Sequence, residues 1–452
     1  MKAQLCLADD DPLLAIDTRV QIMHSQQKPS WSAASRIAFR FCLVYFGLFC
    51  LLTQVFPSLL PIPNFEFPDL SFFPPTHQIV TWIAVHVFGV TRPLVYLSGS
   101  GDKVFDWVLA FCLLAVAAVA TGVWSILDRR RPNYLTLNKW FRVAIRFALA
   151  SQMLTYGAMK LIPVQMPFPY LTKLLEPFGN FSPMGVLWYS VGASPAYETF
   201  TGSAEVLAGI LLIIPATTTL GALVCLADCI QVFTLNMTYD VPVKLFSFDL
   251  ILMCLFLLAP ELRRLADFFV LNRAPGAPTQ ASLFRTRRAN RVAVTAQIIF
   301  GLCLLGVNVY DNWSGWRSYG GGAPKSPFYG IWNIDQLSID GHLRPPLLSD
   351  ADRWRRVIFE SPDTMSLQNM DDSFAHYQAA IDKGAGTIGL KKFKDTSWND
   401  YFRFQRTGED QLTLDGELNH HKVHMQLQLD NRNRFLLVTR GFHWVQEVPV
   451  NK

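Results

Sequence analysis

The chain has 452 residues, of which 51% are hydrophobic and 17% charged, with a formal net charge of +5. That much apolar material exceeds what one ordinary soluble core takes up, so burial in lipid is the first expectation. The basic excess sits in short loops between apolar runs and calls for no nucleic-acid partner, and the sequence has no P-loop and no Gly-rich dinucleotide fingerprint.

Residues 1–35 read as a polar leader on the cytoplasmic side, with acidic residues at 9–11 and no cleavable signal peptide. Apolar runs follow near 37–60, 104–127, 143–162, 199–214, 219–236, 245–259 and 292–310. Most approach the roughly 20 residues that cross a bilayer, which predicts about seven membrane helices. The stretch 77–97 carries His77, His86, Arg92, Gly89 and Pro93 and reads as a broken or surface-lying helix, with an eighth span left open. The resulting domains are 36–135 (two spans with a loop and an interfacial helix), 136–270 (a four-helix core), 271–290 (a basic loop), 291–311 (the last span), 312–324 (a linker) and 325–452.

Lys and Arg concentrate before the first span (Arg36, Arg40), between the second and third (Arg129, Arg130, Arg131, Lys139, Arg142) and between the sixth and seventh (Arg263 to Arg291). Basic loops stay cytoplasmic, so with seven spans the expected location is a bacterial inner membrane with the C-terminal region periplasmic. That region has no cysteine, so no disulfide holds it. Its segments 401–406, 411–418, 422–430 and 434–440 alternate or run apolar between turn residues, the signature of short antiparallel strands. In 423–429 the residues Val423, Met425, Leu427 and Leu429 face inward. A small antiparallel β-barrel is the economical solution because closure removes free edges. Its opening YGIWNI (329–334) is similar to the Gly-x-Trp of lipocalins, with Arg440 as the late basic residue that would pack near Trp332; a plain core tryptophan in some other barrel is the alternative.

Ionisable residues within the apolar runs are the functional signal, because each is costly against lipid. Lys160, Glu205, Asp228 and Asp249 are the candidate catalytic groups, one per span over four spans. Gln152, Tyr156 and Lys160 recur every fourth residue and form a polar stripe, while Glu198 and Glu205 share one helix face. Gln152, Tyr156, Glu198, Gln231, Asn236, Asp240 and Lys244 are the candidate binding residues. Asp240 is placed to cap the sixth span, Pro242 suits a first helical turn, and Lys244 can reach the headgroups. The aromatic segment 163–197 can pack a ligand headgroup or serve as an interfacial anchor. Metal has little support: His420, His421 and His424 lie on one expected strand without a third ligand on a common face, and Cys225 and Cys229 read as small core residues. Haem is disfavoured for want of axial ligands.

The segments RFALASQMLTYGAMKLIP (146–163), YETFTGSAEVLAGILLI (197–213) and TTTLGALVCLADC (217–229) resemble the DoxX-like superfamily of bacterial membrane proteins. That four-helix unit has a Gly-x-x-Lys near the end of its first helix and a glutamate with glycine in its second, matched here by Gly157, Lys160, Glu205 and Gly209. The resemblance covers 140–270, and the flanking spans with a strand-rich tail are similar to a larger subgroup. It implies a quinone-linked or redox-homeostasis membrane component, as some members are similar to quinone-linked thiosulfate oxidoreductase subunits, and a more distant relation reaches the membrane domain of vitamin K-dependent carboxylases. Three functions therefore stay open: a redox component using an exogenous quinone with or without a second redox protein, a proton-coupled carrier, and a binding or assembly protein whose barrel captures an apolar ligand.

Overall fold

The computed structural model describes residues 30–65, 67–277, 282–393 and 395–451, and for 395–398 the backbone alone. The leader expected over 1–35 thus falls largely outside the described residues. The helices are α1 (Ala33–Leu52), α2 (Thr76–His86), α3 (Val104–Leu127), α4 (Leu135–Leu161), α5 (Pro183–Gly192), α6 (Pro195–Ile213), α7 (Thr218–Thr238), α8 (Lys244–Leu258), α9 (Leu262–Phe269) and α10 (Arg287–Ser318), with several single turns between them. Their starts follow local chemistry. Ser32 and Thr286 accept from the amides of Ser35 and Ala289, and Pro183 and Pro195 occupy first turns, where a missing N–H costs nothing.

Five helical stretches are long and apolar enough to cross a membrane: Ala33–Leu52, Val104–Leu127, Pro215–Thr238, Lys244–Phe269 and Arg287–Ser318. The seven spans expected from the sequence include α4 and α6 as well. At 27 and 19 residues both have spanning length, but they carry Arg146, Gln152, Lys160, Glu198 and Glu205, all buried. Their polar character is what keeps them out of the strongly apolar set. The helix in 77–97 is α2, 11 residues or about 16 Å long, ending before Gly89 in the left-handed region. It covers about half a hydrocarbon core, so the broken helix is found and the eighth span is not.

α4 is the central helix and touches α1, α6, α7, α8 and α10. Its closest approach is to α6, where side chains are absent on both faces. A Cβ on Gly157 would lie 2.8 Å from the Val206 nitrogen, and one on Gly202 would overlap the Leu161 nitrogen and lie 2.7 Å from the Gly157 oxygen. Small residues let two backbones meet where lipid provides no hydrophobic drive between helices.

The C-terminal region is an up-and-down barrel. Its strands are β1 (Gly330–Ile339), β2 (His342–Leu343), β3 (Trp354–Phe359), β4 (Thr364–Asn369), β5 (Phe374–Asp382), β6 (Thr387–Lys392), β7 (Asp395–Arg406), β8 (Gln411–Leu418) and β9 (His421–Leu429). All neighbours are antiparallel; β2 is a two-residue flap on β1, and the other eight close through β1 and β9, with Trp332 opposite Leu429 and Ile339 opposite Val423. Side chains fill the interior: Trp332, Leu337, Phe359, Met365, Phe402, Leu414 and Met425 are fully buried, and Val423 and Leu427 face inward as the alternation predicts.

Two expectations about this region are corrected, and a third in the placement of one residue. Residues 434–440 form a helical turn, Leu436–Thr439, and not a strand, because β1 and β9 have already used each other's edges. Arg440 does not approach the barrel tryptophan in the way expected: it donates to the Gln446 side chain (2.9 Å), while the Trp332 indole donates to the Phe328 carbonyl (2.8 Å). The histidines lie at the surface as read, but His420 is not on the strand with the other two. His420 sits in the turn before β9, His421 pairs with Asp340 (2.7 Å) and His424 with Asp415 (2.5 Å).

The barrel is bolted to the helical region through its outer face. Ile331 and Ile358 pack with Leu171, Leu174 and Leu175 of the short helix Leu171–Leu175 and with Phe435 from the tail. The Leu171 amide donates to both oxygens of Glu360 (2.9 and 3.1 Å).

Two outcomes test these contacts. Gly202→Ala is expected to cost about 1–3 kcal/mol by overpacking, whereas Gly122→Ala, where a Cβ meets nothing within 4 Å, stays near neutral; thermal unfolding in detergent reads both. Glu360→Ala orphans the Leu171 amide at about 1–3 kcal/mol, so its hydrogen exchange should accelerate by about five-fold or more. Burial holds the Glu360 carboxyl above its ordinary value of 4.5, so the docked form takes up the proton more readily. The contact is therefore firmest below pH 4.5 and loosens as pH rises through the raised value.

Candidate functional site

The glycine seam brings α4 and α6 close enough for Lys160 to reach Glu205. The Lys160 Nζ donates to Glu205 Oε1, and the two side chains are 11% and 3% exposed. Asp228 of α7 lies within electrostatic reach of both, so three of the four candidate catalytic residues converge. Glu205 Oε2 and Asp228 Oδ2 are buried with no hydrogen-bond partner among the described residues. Two carboxylates against one ammonium leave one acid without a counter-ion, the composition of a proton-exchange site in a membrane.

One and two turns earlier on α4, the polar stripe is gathered by a residue the sequence reading passed over. Gln54, just after α1, donates to the Tyr156 hydroxyl (2.7 Å) and to Gln152 Oε1 (3.3 Å), and Gln152 in turn donates to Ser58 (2.5 Å). Gln54 stood at the end of an apolar run with nothing in its neighbours to mark it. Glu198, fully buried, accepts from the Met166 amide (2.9 Å) and so fixes the turn after α4.

Tyr156 and Gln54 line a vestibule of about 410 Å³ at the barrel-side end of the bundle, together with Asp69, Lys103, Asp106 and Trp188. Lys103 pairs with Asp106 at 2.8 Å. Burial and the neighbouring Asp106 carboxylate push Asp69 up to about 6, with Lys103 opposing them.

Asp249 stands apart from the lysine cluster. Its Oδ1 accepts from the Tyr45 hydroxyl of α1 (2.9 Å), and it is 2% exposed. Asp249 also lines the vestibule, and on its other side it lines an apolar groove of about 1320 Å³ between α1, α3, α7 and α8. Phe46, Trp107, Phe111, Phe248 and Phe256 form much of that groove. One carboxylate thus borders a polar chamber and an oily slot.

The remaining candidates have structural work or none. Asp240 does not cap α8. It takes the left-handed conformation (φ 53°) and pairs with Lys244 at 2.9 Å. The α8 cap is Asp102 from the loop before α3, which accepts from the amides of Lys244 (2.9 Å) and Leu245 (3.0 Å). Lys244 turns to Asp240 and Asp102 (3.6 Å) instead of reaching outward, and Pro242 precedes the helix, which starts at Lys244. Asn236 ties the α7–α8 turn by donating to Ser247 (3.0 Å) and the Val243 carbonyl. Gln231 is exposed on α7, three residues beyond Asp228.

Removing one partner of the buried pair leaves the other charge stranded. Lys160→Ala should therefore cost about 3–5 kcal/mol, read as the unfolding midpoint in detergent, and Glu205→Gln added to it should recover a large part of that loss.

No family model matches the chain, and no solved structure matches it. Over 133 residues it is 31% identical to the uncharacterized protein YwoB of Bacillus subtilis (strain 168), a stretch covering 29% of this chain and 84% of that protein. The chain therefore belongs to the family of YwoB, within the part of it that the two share.

Proposed function

We propose that this chain is a DoxX-like, redox-linked membrane component that takes an amphipathic ligand of the quinone type from the bilayer and exchanges protons with it at Asp249. The observation that carries this reading is the position of Asp249 between the apolar groove and the polar vestibule. A quinone has an apolar tail and a head that takes up protons as it is reduced. The groove is of a size and lining to hold such a tail, the Tyr45 hydroxyl and Asp249 supply a donor and a carboxylate at its polar end, and the vestibule gives that carboxylate a route to water. Electrons come from a redox partner, because the chain has no cofactor motif of its own. In this reading the Lys160, Glu205 and Asp228 cluster is a second proton-holding group deeper in the bundle.

The basic residues Arg129, Arg130 and Arg131, and those between α9 and α10, lie at the end of the bundle away from the barrel. That asymmetry supports an inner-membrane placement with the barrel on the periplasmic side. The alternative of a barrel that captures an apolar ligand has less support, since its interior is occupied by its own side chains.

Binding of a short-chain quinone to the purified chain is the test. Asp249→Asn and Tyr45→Phe are each expected to weaken it by about ten-fold, the worth of one hydrogen bond at a sheltered site, while Val123→Leu on an exposed face of α3 leaves it unchanged. Equal affinity in wild type and both site variants removes the proposal.

A further inference from the structure

Three thiols meet in the middle of the bundle. Cys225 and Cys229 are one turn apart on α7, and Cys254 faces them from α8; all three are at most 2% exposed. Cys254 Sγ lies 3.4 Å from Cys225 Sγ and Cys225 Sγ 3.9 Å from Cys229 Sγ, and all three sulfurs lie within 4.8 Å of one another. Three sulfurs about 2.3 Å from a common centre in one plane stand about 4 Å apart, so a metal ion at the centre of this triangle needs only small side-chain adjustments.

We propose that Cys225, Cys229 and Cys254 form a three-coordinate site for a soft monovalent ion, Cu(I). Thiolates select Cu(I), Zn(II) and iron–sulfur clusters. A structural zinc closes four ligands, and among the described residues this group contains three sulfurs and no histidine. A three-sulfur set suits Cu(I), which is content with fewer ligands than zinc. Each thiol that becomes a ligand thiolate releases one proton. The three protons leave to the medium, and Lys160, within electrostatic reach of Cys229, offsets part of the negative charge of the thiolates. Rotation about Cα–Cβ bonds on two packed helices is all the site requires, so the apo and loaded bundles share one backbone. The site is independent of quinone binding at Asp249, which lies elsewhere on α8.

The test is anaerobic titration of the reduced, detergent-purified full chain with Cu(I) supplied as its bicinchoninate complex, followed by X-ray absorption of the loaded wild type. Uptake of one ion per chain with a first shell of sulfur alone is expected. Cys254→Ser and Cys225→Ser should each lower Cu(I) affinity at least ten-fold, whereas Cys303→Ser, exposed on α10, leaves it unchanged. Absence of uptake by the wild type overturns the proposal, as does oxygen or nitrogen in the first shell or undiminished affinity in both serine variants. Preferential retention of Zn(II) in a four-coordinate site including Asp228 also overturns it.

Discussion

The cost of holding an ionised group in hydrocarbon governs this structure. The response is to bury such groups between packed helices, and to let the two that carry most of them, α4 and α6, touch through glycine. Gly157 and Gly202 bring α4 and α6 into backbone contact, and one turn along that contact Lys160 meets Glu205. A bulkier seam would part the helices and strand both charges. Arg146 follows the same rule toward the other end of α4, donating to Thr218 and Gln297, and Arg40 is enclosed by Tyr134, Ser125 and the Asp128 carbonyl.

From that core the polar groups grade toward the barrel side. Lys160 and Glu205 are sealed, Tyr156 and Gln54 border the vestibule, and Asp69 and Asp106 complete its wall. Asp249 belongs to the same wall but reaches it from α8, where Asp102 pins the helix start from 142 residues away in sequence. The barrel closes the arrangement from above by seating Ile331 and Ile358 on Leu171, with Glu360 accepting the Leu171 amide. Membrane helices, vestibule and cap thus form one connected set of contacts.

Much of this was legible in the chain. The runs behind α3, α7, α8 and α10 were plain because sustained apolarity has few other uses, and β8 and β9 were plain because strict alternation has one meaning when a single face is buried. Lys160, Glu205 and Gly157 were found together because the helical period and a motif resemblance pointed to the same residues. What escaped depends on distant partners. Asp240 sits where a cap belongs, yet Asp102 wins that role through the fold of a remote loop. Residues 434–440 have strand composition but arrive after the barrel has closed. Cys225 and Cys229 are packed in the core as read, but Cys254, 25 residues beyond Cys229, joins them only when α7 and α8 lie side by side. Tyr45, inside a long apolar run, gave no sign that it serves Asp249.

In the proposed function a ligand enters between α1 and α8 and meets Asp249 there. Photolabelling with an azido-quinone in native membranes, followed by peptide mapping, tests this directly. Adducts concentrated on the peptides around Tyr45 and Phe248 to Leu252, and suppressed by excess unlabelled quinone, are the predicted result. Labelling confined to the barrel, or spread over lipid-facing positions such as Val119 and Val123 without competition, would contradict it.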